Sequence, residues 1–187
     1  MINVKIHTPT FLAFTVIYLS LNSYEVLAHD MPPVLVKQDF TVQLKDQTVS
    51  LGERWTDDVA RKFELPVEGH FVGEVPFDET HYTFYQHQKT GFGIYVSNLW
   101  WDKAERSIDD YIVSQITLTA GEGKTPRGIH VGSSAGELNR TYGNGQIEND
   151  AGEQWCFYQL GNRLLSFEIK DDKVVTITMN YDNGARE

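Results

Sequence analysis

The chain has 187 residues, 16 basic against 26 acidic side chains, a net charge of −10, 41% hydrophobic and 12% aromatic residues, and a single cysteine, Cys156. This length suits one ordinary domain or two small ones, with roughly 70% of the unfolded surface buried on folding. The negative charge excludes nucleic-acid and anionic-membrane surfaces as partners, because those need a basic face. One cysteine excludes an internal disulfide and a thiolate zinc site.

Residues 1–28 read as a signal peptide. A short start carrying Lys5 leads into an apolar run, Phe11 to Leu21, and Val26-Leu27-Ala28 then offers small residues before a cleavage point. The run is shorter than the ~20 residues that cross a bilayer. Removing Lys5 and Glu25 with it leaves the net charge unchanged. The only cysteine lies far downstream of the run, so no lipid or membrane anchor is expected, and the mature protein is expected to be periplasmic or secreted.

Residues 29–47 form a lead-in, and two related units follow, 48–119 and 128–187, joined by the Gly/Pro-rich linker 120–127. In the first, Thr56 caps a short helix that holds Val59 and Phe63 on one face, with Asp57 and Asp58 in its first turn. In the second, Ser134 caps a helix with Leu138 and Tyr142 one turn apart, closed by Gly143. Each helix is followed by strands. Thr83-Phe84-Tyr85-Gln86 matches Cys156-Phe157-Tyr158-Gln159, and Ile94-Tyr95-Val96 matches Phe167-Glu168-Ile169, both at an offset of 73 residues. Third strands are expected over 111–119 and 174–181, with Gly161-Asn162 and Asp171-Asp172 as hairpin turns. The expected fold is therefore α+β: two tandem units, each a short helix packed on its own antiparallel sheet.

The string Gly128-Ile129-His130-Val131-Gly132-Ser133-Ser134, followed by Leu138 and Tyr142-Gly143, resembles the opening of small exported bacterial α+β modules. These include the tandem repeats of β-lactamase inhibitor protein and the outer-membrane assembly lipoproteins. The resemblance spans roughly residues 48 to 181 and implies a helix-on-sheet fold with a protein-binding surface. The chain departs from the inhibitor in lacking its cysteine pairs and from the assembly modules in lacking a lipid-bearing cysteine.

No catalytic constellation is expected. There is no G-x-S-x-G elbow, and Ser133-Ser134 read as caps. Gly123-Lys124-Thr125 imitates a phosphate loop, yet Leu118 stands where its first glycine belongs and Pro126 follows where a helix should begin. His81 and His87 lie roughly 20 Å apart on one strand, too far for one metal. His29, as a new N-terminus, is the one conceivable copper ligand. The pairs Asp57-Asp58, Asp109-Asp110 and Asp171-Asp172 sit at a helix start, an insertion and a turn, so they read as solvated positions rather than a hydrolytic pair. No cofactor and no bound metal are expected.

Aromatic residues are the distinctive feature. Ile94 and Val96 should face the core and Tyr95 outward beside Glu168, while the adjacent Trp100 and Trp101 cannot both be buried on one face. The expected partner-binding residues are Tyr95, Trp100, Trp101, Tyr111 and Trp155, with Glu168 at the polar rim. The expected function is that of an exported, non-enzymatic inhibitor or immunity protein that captures a protein partner with a basic surface. An envelope assembly adaptor is the alternative, ahead of a small hydrolase or a copper-binding secreted enzyme.

Overall fold

The computed structural model describes residues 33–77, 80–99, 107–150 and 153–182. The expected signal peptide, Trp100 and Trp101 lie outside them. A 3-10 turn, Lys37–Phe40, leads into a hairpin of β1 (Thr41–Leu44) and β2 (Gln47–Ser50). Then come α1 (Asp57–Lys62), β3 (His70–Phe77), β4 (Thr80–Lys89), β5 (Phe92–Ser97) and β6 (Ile112–Leu118). The second half runs α2 (Ala135–Tyr142), β7 (Gln146–Asp150), β8 (Glu153–Leu160), β9 (Arg163–Lys170) and β10 (Lys173–Tyr181).

β3 to β10 make one antiparallel sheet in the order β3-β4-β5-β6-β10-β9-β8-β7. A short helix followed by four strands occurs twice along the chain, and the last strand of each series meets the other at the centre. There Thr178 pairs with Thr117 and Met179 with Ile116.

This overturns the expected α+β architecture of two helix-on-sheet units. The described residues are 51% strand and only 13% helical, and the sheet is continuous. The physical reason is edge pairing. Two separate four-stranded sheets would each leave the backbone groups of β6 and β10 unpaired, and joining them satisfies both rows at once. Helices of six and eight residues are also too short to cover a sheet this wide.

One face of the sheet carries the core. Ile94, Val96, Ile116, Leu118, Leu165, Phe167, Ile177 and Met179 are buried there. Against them pack Phe40, Val42, Val49 and Leu51 from the turn and hairpin, Ala60 and Phe63 from the α1 region, and Leu138 and Tyr142 from α2. The covering layer is thus mostly hairpin and loop. Its helices begin where side-chain caps satisfy free N–H groups: Thr56 Oγ1 accepts from Val59 N at 3.3 Å, and Ser134 Oγ from Glu137 N at 3.1 Å. The tight turns between β8, β9 and β10 place Gly161, Asp171 and Asp172 at positive φ, which glycine and aspartate tolerate.

Both sheet edges are blunted. β3 has a register shift between Phe71 and Gly73, and it carries Pro76, which lacks a donor. β7 carries Glu148 along its short edge.

Candidate functional site

The face opposite the core is set by the two-residue period of the strands. In β5, Phe92, Ile94 and Val96 point to the core, so Gly93 and Tyr95 point away. Pairing extends this across the sheet. Tyr95 lies between Gln86 and Gln115, and Gln115 pairs on with Asn180. One step along, Gly93 lies between Gln88 and Thr117, and Thr117 pairs on with Thr178. Two adjacent rows of amides and hydroxyls therefore run over β4, β5, β6 and β10, four strands spaced ~4.8 Å apart.

Gly93 leaves a hollow in these rows. A Cβ placed on it would meet only Gln88 Cβ at 3.7 Å and the His87 carbonyl oxygen at 3.9 Å, so the space above it is open. The result is a groove of about 310 Å³ whose wall includes Gln86, Gln88, Tyr95, Gln115, Thr117 and Thr178. Its amides are partly pre-set: Gln86 Nε2 donates to Gln88 Oε1 at 2.9 Å and Gln115 Nε2 to Thr117 Oγ1 at 3.1 Å. Lys89 and Phe92, paired next to the β4–β5 turn, border it with their backbone while their side chains point to the core side. The ammonium of Lys89 is engaged by the Phe63 carbonyl at 2.6 Å and by Glu64 at 3.3 Å. Among the described residues no charged side chain points into the groove.

The expected partner-binding residues separate in the structure. Tyr95 is half-buried at the groove. Trp155 and Glu168 share its face and pair with each other across β8 and β9, but Glu168 stands three strands away and Trp155 four. Glu168 accepts from Thr176 Oγ1 at 2.6 Å, and Trp155 stacks on Phe157 with ring centroids 6.2 Å apart. On β10, which lies between, Thr176 and Thr178 are half-buried on this face, so the polar surface runs from the groove to Glu168, while Leu164 and Ser166 beside Glu168 on β9 are buried.

Tyr111 is not on this face. It packs against the core side, where its hydroxyl lies 2.6 Å from Thr83 Oγ1 and its ring meets Tyr85 edge-on at 5.7 Å. A bulge in β6, where Tyr95 and Val96 pair with Gln115 and Val113, reverses the phase, so that Tyr111 and Val113 take the same side as Ile116 and Leu118. Asn98, wholly buried, pins the connection before Tyr111 by accepting from Thr83 N and donating to the Ile108 carbonyl. Sequence reasoning missed Gln86, Gly93, Gln115, Thr117 and Thr178. The signal was the alternation Gln86-x-Gln88, Gln115-x-Thr117-x-Thr119 and Thr176-x-Thr178-x-Asn180, polar at every second residue.

Groups that could do covalent chemistry do not converge. His130 Nδ1 lies 2.9 Å from Ser133 Oγ, but no carboxylate is bonded to the ring among the described residues. His87 is buried, with Nδ1 at 2.8 Å from the Pro66 carbonyl and its ring against Trp55. No group of three His, Cys, Asp or Glu among the described residues could hold a metal ion. No helix among them is long and apolar enough to cross a membrane.

The core side holds the strongest electrostatic feature. Asp39, 2% exposed, receives both Nε and Nη2 of Arg127 at 2.6 Å, while that guanidinium also donates to the carbonyls of Val34 and Thr141 and lies 4.8 Å from the Tyr142 ring. The bond to Asp39 holds the pKa of Arg127 above its ordinary value. Burial pushes Tyr142 up to about 12 and raises Cys156 and Tyr158 as well. A second hollow, of about 390 Å³, lies between α2 and β7 to β9, beside Leu138, Ile147 and Cys156.

Compared with known proteins, the chain matches no family model and no curated protein. Among solved structures it is similar to that of a DUF4309 family protein, YjgB, from Bacillus subtilis subsp. subtilis str. 168, with 17% identity over 78% of this chain and 90% of that one, at a TM-score of 0.45.

Proposed function

We propose that this chain is a non-catalytic binding module that holds a macromolecular partner on the face of its sheet opposite the core. The observation that carries this reading is the pair of hydrogen-bonding rows over β4, β5, β6 and β10, broken by the groove at Gly93. A face of uncharged amides and hydroxyls around a tyrosine supplies donors, acceptors and an aromatic contact without the desolvation penalty of buried charge. An enzyme would need an activated nucleophile or an acid–base pair in its groove, and the tyrosine and threonines that line it have no histidine or carboxylate beside them among the described lining residues. An inhibitor or immunity protein and an envelope adaptor would both use such a face to cover their partner. The uncharged lining favours a partner selected by hydrogen-bond geometry over one selected by a basic surface.

The test is capture from an extract of the native cells by the immobilised mature chain. The double variant Tyr95→Ala/Gln115→Ala should lose the captured partner, while Ile147→Ala, at the hollow beside α2, should keep it. Equal capture by the double variant and the unaltered chain contradicts the reading.

A further inference from the structure

We infer that the groove at Gly93 is a saccharide site, which takes a neutral oligosaccharide. This rests on the reading of the sheet face as the binding surface and names its ligand. The argument starts from the missing side chain. A glycine inside a strand weakens the strand and marks places where something approaches the backbone closely. Gly93 has no positive φ to explain it, and no described neighbour fills the space that a Cβ would occupy. The turn and packing reasons for glycine are therefore absent at this position.

The chemistry of the wall selects the ligand. Gln86, Gln88 and Gln115 offer both donors and acceptors, Thr117 and Thr178 add hydroxyls, and Tyr95 adds an aromatic surface with a polar tip. A sugar ring is their complement, with hydroxyl groups around its rim and C–H groups on its faces. Among the described residues that line the groove the one charged residue is Lys89, whose side chain points to the core side with its ammonium on Phe63 and Glu64, so a phosphate or carboxylate would bring a charge that nothing in the groove neutralises. An apolar ligand would strand the amides. The volume of about 310 Å³ is at the small end of the range for ligand pockets, as suits a short stretch of sugar rings rather than a folded loop.

Isothermal titration of the mature chain with neutral gluco-, xylo- and N-acetylglucosamine oligosaccharides, and with polygalacturonate as the acidic comparison, tests this. At least one neutral oligosaccharide should bind and polygalacturonate should not. Gly93→Val should weaken that binding by about tenfold or more with the melting temperature retained, because valine suits a strand and its Cβ meets no clash here. Gln115→Leu should weaken it too, a second variant that leaves the backbone alone. Absence of heat with every neutral oligosaccharide at millimolar concentration overturns the saccharide assignment. So does binding that survives both variants. If the sugars fail while Tyr95→Ala/Gln115→Ala still abolishes capture from extract, the face remains the binding surface and its ligand is a protein. If capture survives as well, both readings fall.

Discussion

Single residues decide whether this sheet has an open hollow or a closed one, and two glycines show the contrast. Gly93 can accept a side chain; Gly145 cannot. A Cβ on Gly145 would run into Cys156 Sγ, into Tyr158 Cζ at 2.8 Å and into the Phe157 carbonyl oxygen at 3.0 Å. Gly145→Ala should therefore destabilise the protein by about 1–3 kcal/mol in urea unfolding, the usual range for overpacking. Cys156→Ala in the same chain should recover part of that loss, and full additivity of the two changes would mean that the sulfur is not the obstacle. At this scale the sequence was partly readable. The inward facing of Ile94 and Val96 and the outward facing of Tyr95 follow from strand alternation alone. Counting back from Gln115 and Thr117 would turn Tyr111 outward, and the bulge between Val113 and Gln115 puts it on the core side instead. Gly93 was passed over because a glycine in a strand has no side chain to carry a pattern.

Among elements, the 3-10 turn, the linker before α2 and the end of α2 are held together by one ion pair. Arg127 reaches back to Asp39 with two bonds and to the Val34 and Thr141 carbonyls with two more. Replacing it by methionine keeps much of the volume but leaves the Asp39 carboxylate buried without a counter-charge. Arg127→Met should cost about 3–5 kcal/mol, read as a shift in the urea midpoint. The paired change Asp39→Asn/Arg127→Met should recover a substantial part, since it removes the buried charge as well. No recovery would indicate that the clamp acts through the backbone carbonyls instead. Nothing local in the sequence announces this pair, which joins residues 88 apart. The caps at Thr56 and Ser134, and the turns at Gly161 and Asp171-Asp172, were legible because each depends only on its immediate neighbours.

At the scale of the whole molecule, the fold buries three weak acids in one region of the core. Cys156, Tyr142 and Tyr158 all have raised pKa values, chiefly because burial disfavours their charged forms. The folded chain then keeps protons that the unfolded chain releases once pH passes the ordinary thiol value of 9.0 and the tyrosine value of 10.0. Stability from these groups is fully present below pH 9 and falls as pH rises, by up to about 1.4 kcal/mol per pH unit for each group titrating. Urea midpoints measured between pH 7 and 11 should decline from near pH 9, and Cys156→Ala should move the onset toward pH 10. A flat profile would contradict the burial of these groups. The joining of both halves into one sheet was the global feature that sequence reasoning did not reach. Each half has strands with the right period, but which strand edge meets which is decided by hydrogen bonds between β6 and β10, and their residues carry no local mark of that pairing.

The claim that the uncharged face of the sheet is where this protein meets its partner can be put to hydroxyl-radical footprinting, comparing the purified protein in buffer with the same protein in an extract of its native cells. Tyr95 should lose much of its labelling in the extract, while Trp155, four strands away on the same face, changes less. Undiminished labelling of Tyr95 beside strong protection of Phe71 on β3 or Ile147 on β7 would place the partner on a sheet edge and contradict the account.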